Sequence, residues 1–173
     1  MTSPAMRIIG LAGIGSAAML LGALAFQYLG DLTPCKLCLW QRWPHGGAML
    51  LAVMALLIHQ HSITISLTGI GAMLIGAGLA LYHTGIERTW WLGPDSCSGT
   101  GNIGILTPEQ LLSQIMAAPV VRCDEVTWVL AGLSMASWNG LISLALAGLW
   151  YAAWQHGRTQ HNSAYPTTLK SGP

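Results

Sequence analysis

Four long stretches of the chain are almost entirely apolar, and short polar segments separate them. Three of these stretches contain no charged residue, and the other contains only Arg42, close to its start. A helix needs about 20 apolar residues to cross the hydrocarbon of a bilayer, and backbone groups that face lipid must be satisfied within such a helix. The pattern predicts an all-α fold, a four-helix transmembrane bundle that forms one membrane domain over residues 1–173, with spans at about 8–29, 39–58, 63–82 and 126–154.

Composition indicates a membrane protein and argues against nucleic acid as a partner. Hydrophobic residues make up 53% of the chain and charged residues 8%, whereas an ordinary soluble domain is about 25% charged. The formal net charge of +1 gives no basic face for binding nucleic acid. Arg7 and the small residues at 23–25 leave a cleaved signal peptide as an alternative to the first span.

All four cysteines lie in the polar segments after the first and third spans. Cys35 and Cys38 belong to a loop at about 30–38, and Cys97 and Cys123 to a loop at about 83–125. With four spans, both loops face the same side of the membrane. An even set of cysteines on one side is typical of an oxidising compartment, whereas the lysines and arginines do not orient the chain. We therefore expect the cysteine loops to lie outside the cytoplasm, with cytoplasmic termini and a cytoplasmic tail at 155–173.

The first cysteine pair forms a CxxC motif directly before an apolar stretch, in the segment TPCKLCLWQRW at 33–43. Cys38 lies near the N-terminus of the predicted helix, and Arg42 follows one helical turn later. The helix dipole and a nearby cation both favour a thiolate, which is the attacking species in disulfide exchange. A static disulfide over so short a loop would add little stability. The motif therefore predicts a redox dithiol at the membrane surface.

The second pair, Cys97 and Cys123, is widely spaced in sequence. A bridge between them would close a loop of about 27 residues and contribute roughly 3 to 4 kcal/mol, so a structural disulfide is one reading. A disulfide in an exposed loop is also easily attacked by an external thiol. Because a CxxC pair lies on the same side of the membrane, we interpret the second pair as one that takes part in disulfide exchange. Four cysteines, or three with His83, could hold zinc, but zinc ribbons usually have two CxxC pairs and the second pair here is widely spaced, so we predict no metal site.

A short helix is predicted between the last two spans, in residues 107–121. Thr107 can cap it, Pro108 suits the first helical position, and Glu109 and Gln110 suit the first turn. Its leucines, isoleucine and methionine form one apolar face, which is typical of a helix that lies on a membrane. Such a helix would bring Cys123 back towards the CxxC pair, although a loop helix without that role is equally compatible.

Three segments resemble one known family: PCKLCLWQR (34–42), YHTGIERTWWLGPDSC (82–97) and VRCDEVTW (121–128). They are similar to disulfide bond formation protein B, the quinone-dependent thiol oxidases of bacterial inner membranes. The resemblance covers most of the chain from 34 to 154. It implies a protein-dithiol:quinone oxidoreductase of the inner membrane that supports disulfide bond formation and hence protein folding.

The resemblance also implies a route for electrons. It pairs Cys35 with Cys38 and Cys97 with Cys123 as disulfides. A reduced DsbA-like thioredoxin-fold oxidase would attack at Cys97, and Cys123 would then attack the Cys35–Cys38 bond. Cys38 is left as a thiolate beside the quinone, where Arg42 would stabilise it.

The implied cofactor is a quinone, either ubiquinone or menaquinone, and the resemblance places Arg42 at it. Gln41 is a candidate for a further hydrogen bond. His83 and Glu87 are candidates for a pocket wall or a proton relay, because histidine titrates near neutral pH. Asn139, inside the last apolar stretch, is expected to form a helix–helix hydrogen bond. The rival hypotheses are a membrane scaffold with structural disulfides and a metal-binding membrane protein.

Overall fold

The computed structural model describes residues 3–58, 63–94, 107–117 and 121–164, and most of them are helical. Among the described residues, four helices are long and one is short, and a two-stranded hairpin precedes the last helix. In chain order the elements are α1 (Pro4–Tyr28), α2 (Lys36–Leu57), α3 (Ile63–Glu87), α4 (Pro108–Ala117), β1 (Val129–Leu130), β2 (Leu133–Ser134) and α5 (Met135–Ala164).

The four long helices pack around a shared apolar core. α1 packs against α2 and α5, and α3 packs against the same two helices, most extensively against α5. Small residues permit these close approaches: a Cβ added at Gly69 of α3 would overlap the ring of Trp150, and one added at Gly13 of α1 would lie 2.5 Å from Ala52 Cβ. The core therefore depends on glycine and alanine at the helix contacts.

Two helices among the described residues, α1 and α3, are long and apolar enough to cross a membrane. The outer faces of the long helices also carry many exposed large apolar side chains, such as Ile14, Leu21, Leu57 and Ile75. A soluble monomer rarely exposes so much contiguous apolar surface. Contact with lipid is the environment that suits these faces.

The predicted start of the last helix, at 126, is wrong, because α5 begins at Met135. A β-hairpin precedes the helix, with Val129 opposite Ser134. Its turn has Ala131 at φ +52° and Gly132 at φ +79°, as in the turns that match the twist of a two-residue hairpin. Ser134 Oγ then accepts a hydrogen bond from Ser137 N at 3.2 Å, which caps the new helix.

The third helix extends beyond its predicted end at 82 and continues to Glu87. The predicted loop at 83–125 therefore begins later than expected, and its first residues form the last turns of α3. This extension places His83 and Glu87 on a helix, four residues apart and on one face.

The short helix predicted after Thr107 is confirmed as α4. Thr107 N donates to Gln110 Oε1 at 3.0 Å, and Gln110 N donates to Thr107 Oγ1 at 3.3 Å. This reciprocal pair is a capping box. Residues 118–120, which belong to the predicted segment 107–121, lie outside the described part of the chain.

Candidate active site

The CxxC pair lies at the N-terminus of α2, with Cys35 as the capping residue. Cys38 N donates to Cys35 Sγ at 3.2 Å, and the two Sγ atoms are 2.9 Å apart. A disulfide bond would bring the sulfurs to about 2.05 Å, so the structure describes the dithiol form. The Cys35–Cys38 disulfide stays a prediction, and the separation shows that the two sulfurs can meet with little movement.

The two thiols, which both precede the apolar stretch 39–58, differ in pKa. The hydrogen bond that Cys35 donates to Cys38, together with burial, raises the pKa of Cys35 to about 12. The same hydrogen bond lowers the pKa of Cys38, assisted by a backbone hydrogen bond and opposed by burial. The negative charge of the pair therefore resides on Cys38, as expected for a thiol in the first turn of a helix.

The last turns of α3 bring a histidine and a carboxylate to the thiols. His83 Nε2 lies 3.6 Å from Cys35 Sγ and 3.9 Å from Glu87 Oε1, and both side chains are almost fully buried. Ser134 Oγ donates a short hydrogen bond to Glu87 Oε2. The start of α5 therefore holds the carboxylate beside the histidine.

A buried row of polar side chains orients the His83 ring. Gln41 Nε2 lies 2.8 Å from His83 Nδ1, and Asn139 Nδ2 donates to Gln41 Oε1 at 2.5 Å. His45 Nε2 lies 2.8 Å from Asn139 Oδ1. Because Gln41 uses its amide group as donor, His83 Nδ1 accepts, and the ring carries its proton on Nε2, facing Cys35. The predicted helix–helix hydrogen bond of Asn139 is confirmed.

His45 was not singled out by the sequence analysis. It lies four residues after Gln41, on the same face of α2, and that spacing was the available signal. Only 2% of its surface is exposed, and its Nδ1 atom has no hydrogen-bond partner among the described residues.

An apolar cavity of about 360 Å³ adjoins the thiol pair. Its polar lining includes Cys38, Arg42, His83 and Glu87, and its apolar lining comes largely from α1 and α5, with Met19, Ala23, Phe26 and Ile142 among the lining residues. Arg42 donates to Gln27 Oε1 at 2.7 Å, which fixes the guanidinium at the cavity. This volume falls within the range of small-molecule sites.

The third described cysteine, Cys123, lies close to the first pair. It is 1% exposed and belongs to one buried cluster with Cys35, Leu37 and Ile86. Arg122 next to it forms an ion pair with Asp124 at 2.5 Å, and this pair lowers the pKa of the Asp124 carboxyl. Cys97 lies outside the described residues, so its predicted disulfide with Cys123 is not tested.

One further property of the site concerns metal ions. Among the described residues, Cys35 Sγ, Cys38 Sγ and His83 Nε2 lie within 4.8 Å of one another and are suitable donors to a cation. The expectation of no metal site was based on the cysteine spacing, and the structure brings a histidine from a different helix to the CxxC pair.

Comparison with known proteins identifies the family. The family model described as disulfide bond formation protein DsbB matches residues 5–153. The chain belongs to the DsbB family. The relative named disulfide bond formation protein B from Methylococcus capsulatus is 31% identical over 163 residues, covering 89% of this chain and 97% of the relative. Another relative of that name, from Stutzerimonas stutzeri, is 26% identical over 149 residues, covering 81% of this chain and 90% of the relative.

Membership in the DsbB family confirms the resemblance seen in the three sequence segments. It assigns the chain to disulfide bond formation and, together with the apolar helices α1 and α3, to membrane proteins. The family match spans the thiol pair, Arg42, His83 and Glu87, and the described Cys123.

Proposed function

We propose that the chain is a protein-dithiol:quinone oxidoreductase of the bacterial inner membrane. It reoxidises a periplasmic DsbA-like thioredoxin-fold oxidase and passes two electrons to a membrane quinone, which sustains disulfide bond formation. One observation carries the proposal: Cys38 and Arg42 line the same apolar cavity, directly beside Cys35. A thiol pair is thereby joined to a pocket of the size and polarity that a flat apolar acceptor requires.

The proposed arrangement in the membrane is a four-helix transmembrane bundle made of α1, α2, α3 and α5. The two cysteine loops face the periplasm, and both termini face the cytoplasm. The exposed apolar faces of these helices support it, as does the presence of Cys35 and Cys123 in one cluster, because both must lie on the same side.

The residues at the cavity fit a quinone headgroup. The guanidinium of Arg42 offers donors to a carbonyl oxygen, and His83 and Glu87 offer groups that exchange protons. Gln41 also lines the cavity, although its side-chain nitrogen is directed to His83. When bound, ubiquinone or menaquinone would supply a lipid-soluble acceptor for two electrons and two protons.

The thiol steps follow from the order of the cysteines. A thiolate of the donor attacks Cys97, which forms a mixed disulfide and releases Cys123. Cys123 then attacks Cys35, and the bond between Cys35 and Cys38 breaks with Cys38 leaving as the thiolate. The lowered pKa of Cys38 favours this direction, because the thiol of lower pKa leaves faster.

Two further exchanges complete the thiol chemistry. The second thiolate of the donor attacks the mixed disulfide, so the donor departs oxidised and Cys97 is released. Cys97 then attacks Cys123, which re-forms their bond and leaves Cys35 and Cys38 as the dithiol. That pair returns to its disulfide by giving up two electrons and two protons. His83 Nε2 carries the ring proton and lies 3.6 Å from Cys35 Sγ, so it can donate a hydrogen bond to that sulfur as the thiol loses its proton. The Glu87 carboxylate, 3.9 Å from the same Nε2, is a nearby proton acceptor.

The proposal is tested in a bacterial strain that lacks its own dithiol:quinone oxidase. In such cells the periplasmic thioredoxin-fold oxidase accumulates in its reduced form, which a thiol-reactive mass tag shifts on a gel. Expression of this chain should restore the oxidised form, and Cys35→Ser or Cys38→Ser should abolish the restoration. A membrane scaffold with inert disulfides would leave the oxidase reduced although the chain is present and folded.

A further inference from the structure

Three donor atoms from two helices converge in the dithiol form of the site. Cys35 Sγ and Cys38 Sγ come from the start of α2, and His83 Nε2 comes from the end of α3. Cys35 and His83 are 5% and 4% exposed. Two thiols and an imidazole form a donor set that favours zinc over magnesium or calcium, which prefer oxygen ligands.

The distances nearly match those of a tetrahedral zinc site. Zinc–sulfur bonds of about 2.3 Å and zinc–nitrogen bonds of about 2.0–2.1 Å place sulfur and nitrogen about 3.6 Å apart and two sulfurs about 3.8 Å apart. Cys35 Sγ and His83 Nε2 are 3.6 Å apart. The two sulfurs, at 2.9 Å, must separate by about 0.9 Å, which a side-chain rotation of Cys38 can provide.

We propose that the dithiol form of the protein binds Zn²⁺ through Cys35, Cys38 and His83 and is held reduced by it. The sulfurs bind as thiolates, so any proton on either thiol is released to solvent, and no electron moves. Water or the Glu87 carboxylate, whose Oε1 lies 3.9 Å from His83 Nε2, supplies the remaining ligand. A bound cation would block re-formation of the disulfide. This inference rests on the dithiol alone and requires neither the quinone nor the donor protein of the proposed function.

The buried row around His83 can adapt to metal binding. A metal on Nε2 requires the ring proton on Nδ1, whereas the present arrangement has Gln41 donating to Nδ1. The side-chain amides of Gln41 and Asn139 can each exchange their oxygen and nitrogen by rotation. Turning both, with the His45 ring proton moving from Nε2 to Nδ1, reverses every hydrogen bond of the row up to His45 without losing one. Hydrogen bonding to the second nitrogen is what usually orients a metal-bound histidine.

The test titrates Cd²⁺, a spectroscopic substitute for Zn²⁺, into the purified full chain in detergent. Thiolate-to-cadmium charge-transfer absorbance in the ultraviolet reports binding, and Zn²⁺ should displace the band. We expect one metal per reduced chain and no band after oxidation to the disulfide. Cys35→Ser and Cys38→Ser should each abolish tight binding, and His83→Asn should weaken it by at least about tenfold.

Controls make each outcome decisive. His156→Asn changes an exposed histidine of α5 and should bind as tightly as the parent, and Cys123→Ser should retain the band. Helical circular dichroism establishes that each variant is folded. Absence of a band in the folded reduced protein, or undiminished binding in Cys35→Ser, would overturn the inference. Because the titration contains no quinone, its failure is distinguishable from failure of thiol oxidation.

Discussion

Gln41 Nε2 lies 2.8 Å from His83 Nδ1, so a side chain of α2 fixes the ring of a histidine on α3. The other nitrogen of that ring lies 3.6 Å from Cys35 Sγ. Through this one contact the polar interior of the protein is connected to the thiol pair. Gln41 therefore acts as a positioning residue as well as part of the cavity wall.

Replacement of Gln41 tests this role. Gln41→Leu leaves His83 Nδ1 and Asn139 Nδ2 buried without their partner, and each such group costs about 1–3 kcal/mol. Thermal unfolding in detergent should show a clear loss of stability, accompanied by slower thiol oxidation. Gln155→Leu makes the same change at an exposed position of α5 and should have little effect. A Gln41→Leu protein as stable and active as the parent would contradict the assignment.

The unequal thiols predict selective alkylation of the reduced protein. The pKa of Cys35 is raised to about 12, so this residue stays protonated across the neutral range. The pKa of Cys38 is lowered, so its thiolate persists at pH values below the ordinary thiol pKa of about 8.5. Iodoacetamide should therefore label Cys38 first, and the preference should persist as the pH falls from 8.5 towards the lowered pKa. Peptide mass spectrometry measures the extent of labelling at each cysteine, and the denatured chain should show no preference for either one. Equal labelling rates with a common pH midpoint in folded protein would refute the assignment.

Arg42 is predicted to act mainly on use of the quinone. Removal of a cation that offers hydrogen bonds at the cavity should raise the apparent KM for quinone by roughly 10- to 150-fold, since hydrogen bonds to charged groups contribute about 1.5–3 kcal/mol. The matched control is Arg88→Ala, because Arg88 stacks over Trp90 and does not line the cavity. Steady-state kinetics with varied quinone separates the two variants. An unchanged KM for quinone and an unchanged turnover in Arg42→Ala would exclude a role for Arg42 in quinone use.

Close packing of α3 against α5 predicts a contrast between two glycines of α3. An added methyl group at Gly69 would overlap the Trp150 ring, whereas one at Gly71 meets no atom of the described residues within 4 Å. Gly69→Ala should therefore cost about 1–3 kcal/mol of stability, and Gly71→Ala should be neutral or slightly stabilising. Thermal unfolding of both variants in detergent provides the comparison. Equal stability of the two variants would show that α3 and α5 do not pack as described.

Local features of this fold were predictable from sequence, because neighbouring residues determine them. The capping box at Thr107 depends on a spacing of three residues, and the placement of Cys38 at a helix start depends on the apolar stretch that follows. The hairpin before α5 was missed because Val126 to Leu130 reads equally well as the start of an apolar helix. Its signal was the glycine at 132 followed by the capping Ser134.

The polar interior of the site could not be predicted in the same way. Gln41 meets His83 across 42 positions of sequence, and Asn139 meets Gln41 across 98. Hydrogen bonds between such distant residues depend on how the helices pack, which apolar periodicity does not specify. The sequence indicated that Asn139 would bond to another helix, but only the structure identifies its partners.

The most direct test of the central claim is quinone reduction by the purified protein. A reduced thioredoxin-fold periplasmic oxidase serves as donor, and the loss of quinone absorbance is followed over time. The account predicts rapid loss with the parent protein, at two donor thiols consumed per quinone, and none with Cys38→Ser. Absence of quinone reduction by folded parent protein with either ubiquinone or menaquinone, or an undiminished rate in Cys38→Ser, would contradict it.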